Sequence, residues 1–395
     1  MASGGVGDSC GSDSGGAQAF AGFVDVQVNG YKGVSFSDPS LSLEACISTC
    51  EAILSEGGCA AIVPTVITCP LETYDRVLPI LAAAAESPRL RGRILGLHLE
   101  GPFISPRKGA VGAHPPLFVR TPRKGGNGTG GGGRGGEGDE GGERGADGCA
   151  LLDRWQRLAR GRIKLITIAA EAEGADRLCA HAVRMGVRVS LGHMMAVGDE
   201  IGRLAAAGAT HLTHLGNGCP NEVHRHKNHL WPCLADDRLC AMIITDGQHL
   251  PADTISAILR CKGVHNTIVT SDVAPVAGLD EGSYECFGSF VHVQGKFVRS
   301  ADKSCLAGSG ALMLDCLNHL ASLGLRPAPG RDESLSLDEL LMLAFDNPIR
   351  ALGLEPTAVA ADLHSLGPSR VLHEAGRFRL VGKVYCDPCA AAAPG

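Results

Sequence analysis

The sequence predicts an α/β protein built on a (β/α)8 TIM-like barrel. Three observations indicate this fold: eight short apolar runs of β character, helical periodicity in most of the intervals between them, and polar residues at the ends of several runs. A chain of 395 residues is long enough for one such barrel with an appendage. An open doubly wound sheet is the alternative, but no Gly-x-Gly-x-x-Gly turn follows the first strand.

Strands and helices alternate along the predicted barrel. The eight predicted strands are residues 20–28, 59–68, 93–99, 163–169, 187–192, 210–215, 239–245 and 266–271. Helices are predicted from apolar residues at helical spacing over residues 41–55, 71–85, 176–185, 199–207, 252–259, 308–323 and 335–352. A terminal strand is predicted over residues 377–386.

Three segments depart from the barrel pattern. Residues 1–18 are a Gly/Ser-rich leader that we expect to be flexible. Residues 125–148 are more than half glycine and cannot bury enough apolar surface to fold, so we expect a disordered insertion within a barrel that spans residues 19–352. Residues 353–395 are assigned to a partial second domain.

The composition argues against two classes of partner. The formal net charge is −6, from 36 basic and 42 acidic residues, and no basic cluster indicates nucleic-acid binding. No apolar run approaches the roughly 20 residues that cross a bilayer, and the N-terminus lacks the features of a secretory signal. The 16 cysteines are scattered, which fits buried thiols in a reducing compartment. We therefore predict a cytoplasmic protein with a small-molecule partner and no membrane or nucleic-acid partner.

Polar residues at the strand ends indicate a catalytic centre, because the active-site groups of a (β/α)8 barrel come from the C-terminal ends of its strands. Glu100, His193 and His214 end the third, fifth and sixth predicted strands. Two histidines and a carboxylate, with an open position for water, are typical of a hydrolytic zinc site. Asp272 ends the eighth strand, where a general base would lie. Each residue alone could be a turn cap or a core histidine, so the prediction rests on their joint occurrence.

Seven motifs follow one another in an order that points to a known family. They are residues 22–30 (GFVDVQVNG), 98–105 (HLEGPFIS), 190–193 (SLGH), 213–217 (THLGN), 246–249 (DGQH), 271–272 (SD) and 306–309 (LAGS). In these motifs the chain resembles the N-acetylglucosamine-6-phosphate deacetylases of the amidohydrolase superfamily. The resemblance implies a metal-dependent hydrolase that converts N-acetyl-D-glucosamine 6-phosphate to glucosamine 6-phosphate and acetate.

The resemblance also implies roles for individual residues. Glu100, His193 and His214 would bind one divalent metal ion, zinc in the first place, with iron or another divalent ion as the alternative, and Asp272 would be the catalytic acid and base. The implied substrate contacts are Ala113, His114, Asn217, Gly218, His249, Leu306, Ala307 and Gly308, with Arg225 as the candidate for gripping the phosphate. The resemblance further implies a homodimer with a phosphate contact from the neighbouring chain.

The departures from the family define the remaining expectations. Gln27 and Asn29 stand where superfamily barrels commonly carry a His-x-His pair, and amides are poorer zinc ligands than imidazole, so we expect one metal ion rather than two. Family members carry an N-terminal strand segment that completes a small β-sandwich, and here only the leader precedes the barrel, so we expect either an incomplete sandwich at the termini or a truncated chain. An amidohydrolase acting on another N-acyl or cyclic amide, and a catalytically silent barrel, are the alternative functions.

Overall fold

Sixteen strands and eleven α-helices occur in the residues that the computed structural model describes, which are 17–123, 147–302, 305–366 and 371–381. The strands are β1 (Gln18–Phe20), β2 (Phe23–Val28), β3 (Gly30–Tyr31), β4 (Val34–Ser35), β5 (Cys59–Ile67), β6 (Leu97–Glu100), β7 (Ile163–Ile168), β8 (Arg188–Leu191), β9 (His211–Leu212), β10 (Cys240–Ile244), β11 (Thr267–Thr270), β12 (Gly282–Cys286), β13 (Ser289–Gln294), β14 (Phe297–Ser300), β15 (Val371–Glu374) and β16 (Arg377–Leu380).

The helices follow the barrel strands in most intervals. They are α1 (Leu43–Gly57), α2 (Leu71–Glu86), α3 (Gly148–Leu158), α4 (Ala175–Arg184), α5 (Gly198–Ala206), α6 (Leu230–Ala235), α7 (Ala252–Lys262), α8 (Met313–Ser322), α9 (Leu337–Leu341), α10 (Asn347–Ala351) and α11 (Pro356–Ser365). A π-helical turn, Met342–Asp346, joins α9 to α10. No helix of the described residues is long and apolar enough to cross a membrane.

The central sheet is a parallel barrel. Its strands are ordered β2, β5, β6, β7, β8, β9, β10 and β11, each hydrogen-bonded to the next. The first and last strands meet just beyond their ends, where the Asp272 amide donates to the Gln27 carbonyl at 3.1 Å and the Asn29 amide donates to the Val273 carbonyl at 3.0 Å. The predicted (β/α)8 barrel is therefore confirmed, with all eight predicted strands in place.

Apolar side chains fill the barrel and bind its helices. Inside it, one apolar cluster contains Ala351 at the end of α10 and Leu352 after it, together with the strand residues Val26, Val63, Leu165, Met242 and Ile268. Outside it, α1 begins at the cap residue Ser42, whose hydroxyl accepts from the Ala45 amide, and buries apolar residues at helical spacing against the sheet. The fold thus places one apolar layer inside the strands and another beneath the helices.

A buried carboxylate ties the first strand to the last. Asp25, 1% exposed, accepts hydrogen bonds from the Thr270 hydroxyl at 2.6 Å, the Ser271 amide at 3.2 Å and the Ser271 hydroxyl at 2.5 Å. Burial raises the pKa of Asp25, although the hydrogen bonds from Ser271 and Thr270 oppose that effect. The contact lies beside the junction at which the barrel closes.

Two small antiparallel sheets accompany the barrel. Strands β12, β13 and β14 form one sheet after the last barrel strand, and β1, β15 and β16 form the other. Phe20 and Phe378 of the second sheet pack with Phe23 of β2, with ring centroids 5.4 to 5.8 Å apart, so this sheet contacts the first barrel strand. The fold class with a small sheet at the termini is thus confirmed, whereas the sheet of β12 to β14 was not predicted.

Several predicted segments fall partly or wholly outside the described residues. These include most of the leader 1–18, the greater part of the insertion 125–148, and residues 382–395 of the C-terminal segment. At their borders, Gln18 already belongs to β1, and Asp147 caps α3 by accepting from the Cys149 amide at 3.2 Å. The helix predicted from residue 308 begins later, at Met313, because Ser309 pairs with the strand continuation at Val273.

Substituting Asp25 by Ala tests the closure contact. The change leaves the buried Thr270 hydroxyl and Ser271 amide without their acceptor, so we expect the free energy of unfolding to fall by about 2 to 4 kcal/mol. Urea unfolding followed by circular dichroism measures it. Asp237→Ala, at an exposed aspartate, is the matched control and should change stability by less than about 0.5 kcal/mol. Equal effects of the two substitutions would contradict a role for Asp25 in closure.

Candidate metal centre and substrate cavity

Three potential metal ligands converge at the ends of three barrel strands. Glu100 is the last residue of β6, while His193 and His214 each lie two residues beyond the ends of β8 and β9. The Oε1 atom of Glu100 lies 3.2 Å from His193 Nε2 and 2.9 Å from His214 Nε2, and the two Nε2 atoms are 3.0 Å apart. Their ligand atoms all lie within 4.8 Å of one another, and all three residues are buried. The structure therefore brings together the three residues that the strand-end pattern singled out.

The surroundings of these ligands fit a bound cation. His193 Nδ1 lies 2.8 Å from the Ala110 carbonyl, so Nδ1 carries the proton and Nε2 keeps its lone pair for a ligand. His214 Nδ1 is buried and has no hydrogen-bond partner among the described residues. Burial would raise the pKa of Glu100, but the neighbouring imidazoles of His193 and His214 outweigh it and hold that pKa well below its usual range. An ionised carboxylate facing two imidazole nitrogens is a donor set suited to Zn²⁺.

Three residues of the site have positive φ angles, which are uncommon for residues other than glycine. His193, His214 and Asp272 have φ values of 49°, 31° and 52°, in the left-handed region. Each residue follows the end of a strand, so the turn redirects its side chain toward the site. Gly218, at φ 59°, lies against the two imidazoles and leaves no room for a side chain. A Cβ at this position would lie 2.9 Å from His214 Cε1 and 3.0 Å from His193 Nδ1.

Two amides hold Asp272 in place. Its Oδ1 atom accepts from Gln27 Nε2 at 2.9 Å and from Asn29 Nδ2 at 2.8 Å. Burial, followed by the nearby charge of Glu100, raises the pKa of Asp272 to about 6, while His214 and His249 oppose that rise. From the sequence alone, Gln27 and Asn29 are predicted only as replacements for metal ligands. In the structure they orient the predicted general base.

A buried network of hydroxyl groups supports the ligand strands. His98 Nε2 lies 2.8 Å from Thr167 Oγ1, which lies 2.7 Å from Thr213 Oγ1, and that hydroxyl contacts Ser190 Oγ at 2.6 Å. Burial lowers the pKa of His98 to about 4, so its imidazole is neutral near pH 7. The network crosses four neighbouring strands. This network was not predicted from the sequence, because threonine and serine are common within strands and their spatial order depends on the closed barrel.

His249 belongs to a second polar group. Its Nδ1 lies 2.8 Å from Asp246 Oδ2, which also accepts from the Ser309 hydroxyl at 2.7 Å. Burial would raise the pKa of Asp246, but the hydrogen bond and charge of His249 lower it below its ordinary value. Asp246 therefore fixes the ring of His249, which lines the same cavity as the three ligands.

The cavity has a volume of about 780 Å³ and contains most of the predicted site residues. Those that line it are Glu100, Ala113, His114, His193, His214, Asn217, Gly218, His249, Asp272, Leu306 and Gly308. Ala307 is fully buried and does not line the cavity. Arg225 is exposed and also lies outside the lining, and its carbonyl accepts from Trp231 Nε1 at 2.7 Å.

The unpredicted sheet contributes three further lining residues, Phe287, Phe297 and Arg299. Their signal in the sequence is the alternation of apolar and polar residues across 289–300, interrupted by the turn residue Gly295.

His114, predicted as a substrate contact, lies 2.9 Å from Thr68 Oγ1 through Nδ1. Burial, followed by the charge of His193, lowers the pKa of His114 to about 3. It therefore offers a neutral imidazole to the cavity.

Comparisons with known proteins agree on one family. The chain is 30% identical over 352 residues to N-acetylglucosamine-6-phosphate deacetylase of Bos taurus, covering 87% of this chain and 76% of that protein. It is also 30% identical over 305 residues to N-acetylgalactosamine-6-phosphate deacetylase of a Shewanella species, covering 76% and 68%. The crystal structure of N-acetyl-D-glucosamine-6-phosphate deacetylase from Mycobacterium smegmatis matches with a TM-score of 0.72 and 25% identity, covering 95% of this chain and 92% of that one. No family model matches the chain.

Gly218→Ala tests how tightly the two imidazoles are packed. The added Cβ would displace His193 and His214, so we expect metal content after equilibration with zinc, and with it any hydrolytic rate, to fall by about 10-fold or more. Gly186→Ala is the matched control, because Gly186 has a φ of 75° and nothing within 4 Å of an added Cβ. The control should lose about 1 kcal/mol of stability and keep its metal. Full metal content in Gly218→Ala would refute the packing argument.

Proposed function

Because the chain belongs to the N-acetylglucosamine-6-phosphate deacetylase family, we propose that it hydrolyses the acetamide of N-acetyl-D-glucosamine 6-phosphate. The products are glucosamine 6-phosphate and acetate. The observation that carries this proposal is the convergence of Glu100, His193 and His214 with the separately held carboxylate of Asp272 in one cavity. A cavity of about 780 Å³ is large enough for an amino sugar phosphate.

Glu100, His193 and His214 are proposed to hold one divalent metal ion, with zinc as the first candidate. A divalent ion bound there supplies Lewis-acid polarisation of the amide carbonyl and a lowered pKa for a bound water. Within this chain, the Ala110 carbonyl keeps the Nε2 lone pair of His193 directed at the site. Gln27 and Asn29 direct their amide nitrogens to Asp272, an arrangement that supports one metal ion rather than two.

Asp272 is proposed to carry the proton during hydrolysis. As a carboxylate it accepts a proton from the attacking water, and it then returns that proton to the amine nitrogen as the C–N bond breaks. Gln27 and Asn29 donate to the same oxygen, Oδ1, which leaves Oδ2 for the proton. The charge of Glu100 and the burial of Asp272 favour its protonated form, which assists the second step.

The remaining lining residues are proposed to bind and orient the sugar. His249, fixed by Asp246, and the neutral imidazole of His114 offer polar contacts from opposite parts of the chain. Asn217 and Gly218 contribute the backbone beside His214, and the Leu306 to Gly308 loop lies beside Asp272, since the Ser309 amide donates to the Asp272 carbonyl at 2.9 Å. Ala307 is proposed to act only through the shape of this loop.

The galactosamine epimer is a second candidate substrate. The Shewanella relative is named for N-acetylgalactosamine 6-phosphate and is as similar in sequence as the Bos taurus relative. The two sugars differ at one hydroxyl and would use the same metal centre and the same Asp272. Parallel assays with both sugar phosphates, and with a panel of other N-acyl and cyclic amides, distinguish these functions.

A homodimer is proposed on the strength of the family resemblance. Arg225 is exposed and does not line the cavity of its own chain, and its contact with the substrate phosphate is therefore proposed from a second copy. Light scattering coupled to size-exclusion chromatography measures the assembly.

Removal of metal provides the direct test of the proposed activity. We expect purified protein to release acetate and free amine in equal amounts from N-acetylglucosamine 6-phosphate, and a chelator to abolish turnover because the ligand set then lacks its ion. Zinc should restore the rate, with about one ion per chain by elemental analysis. A protein that binds little or no metal and hydrolyses none of the panel would instead be the catalytically silent barrel.

Asp272→Asn separates proton transfer from metal binding. The amide keeps the shape of the carboxylate but cannot accept the water proton, so we expect kcat to fall by at least about 100-fold. Metal content should stay near that of the unaltered protein, because Asp272 lies outside the three-ligand cluster. Glu100→Gln is the companion variant and should lose metal as well as rate. Retained turnover in Asp272→Asn would remove this residue from the mechanism.

A further inference from the structure

We propose that Arg299 binds the phosphate group of the substrate from within the same chain. This inference rests on the proposed function, since it concerns the phosphorylated end of the substrate of that site. Arg299 lies on β14, in the sheet that follows the last barrel strand, and it lines the cavity. It is not among the residues that the family resemblance implied.

The alternation of side chains along β14 directs Arg299 toward the cavity. Successive residues of a strand point to opposite faces of the sheet. Val298 is 1% exposed and packs in the apolar core of the small sheet, whereas Phe297 and Arg299 on the other face are exposed and line the cavity. The buried Val298 therefore sets which way Arg299 points.

Backbone pairing ties β14 to the loop beside Asp272. The Ala307 amide donates to the Val298 carbonyl, and the Ser300 amide donates to the Cys305 carbonyl, both at 3.0 Å. These bonds place Arg299 opposite Leu306. The arginine is thus attached to the same loop whose continuation at Ser309 bonds the backbone of Asp272.

Within one chain, the described residues of the cavity offer a sugar phosphate one cationic side chain. Arg299 is the only lysine or arginine among the described residues that line the cavity, while Glu100 and Asp272 are acidic. Within the described part of the chain no carboxylate forms an ion pair with Arg299. A phosphate dianion entering the cavity therefore meets a guanidinium that forms no ion pair with a carboxylate of the described residues.

An aromatic ring orients the guanidinium. The Cζ atom of Arg299 lies 4.9 Å from the centroid of the Phe297 ring. Stacking on a ring occupies the face of a guanidinium and leaves its N–H edges free, and those edges match two phosphate oxygens at once. The acetamide end of the substrate is then held at the metal centre and the phosphate end at the small sheet.

Arg299→Met tests the assignment with two substrates. Because the variant loses charge-assisted hydrogen bonds to the phosphate, we expect kcat/KM for N-acetylglucosamine 6-phosphate to fall by about 10- to 100-fold, mainly through KM. For unphosphorylated N-acetylglucosamine, kcat/KM should be unchanged. The inhibition constant of inorganic phosphate should rise by a similar factor, and Arg299→Lys should recover part of the loss because it keeps the charge.

Arg76→Met is the matched control, because Arg76 is an exposed arginine on α2 that does not line the cavity. It should leave all three measurements unchanged. Equal KM and phosphate inhibition in Arg299→Met and the unaltered protein would overturn the assignment, most directly if Arg225→Met alone weakened both. If the unaltered protein did not hydrolyse the sugar phosphate while its binding of inorganic phosphate depended on Arg299, the proposed function would fail and the anion site would stand.

Discussion

The junction between the first and last barrel strands is the constraint on which the site depends. There the Asp272 amide bonds the Gln27 carbonyl, and the Gln27 and Asn29 side chains bond the Asp272 carboxylate. Closing the barrel and positioning the proposed proton carrier are therefore achieved by the same few residues. Asp25 reinforces the junction by accepting from Thr270 and Ser271 on the opposite strand. Because the partners come from the two ends of the barrel sequence, this part of the site is complete only in the closed barrel.

The site combines a rigid floor with a separately built wall. The floor consists of strand ends, and its ligands are supported by buried contacts such as the hydroxyl chain through Thr167 and Thr213. The wall comes from the small antiparallel sheet, whose Phe297 and Arg299 are exposed and contact the cavity from one face of a single strand. Chemistry at the floor requires fixed distances, whereas recognition at the wall requires only a suitable surface. A change of substrate preference through this sheet would therefore leave Glu100, His193 and His214 undisturbed.

The sequence predicted the barrel and the convergence of its ligands because both follow from local pattern. Apolar runs such as β5, buried along its whole length, identify strands, and parallel strands bring Glu100, His193 and His214 to one edge. What it could not predict depends on partners remote in the chain. The hydrogen bond from Gln27 to Asp272 joins residues 245 positions apart, and the sequence around a glutamine in a strand does not indicate which residue accepts its hydrogen bond. The position of Arg299 depended likewise on a sheet whose short strands were not predicted.

The left-handed backbone at His193, His214 and Asp272 has an evolutionary consequence. At positive φ the chain tolerates glycine, asparagine, aspartate and histidine, but it penalises β-branched residues such as valine and threonine. The backbone therefore restricts which amino acids each of these positions accepts, whether or not an ion is bound. Two of the accepted types, aspartate and histidine, can ligate metals or carry protons. A descendant that lost the reaction would tend to keep asparagine or glycine at these three places. The backbone conformation at the strand ends can thus be retained in a related chain without activity. Such a chain can regain a ligand by a single substitution.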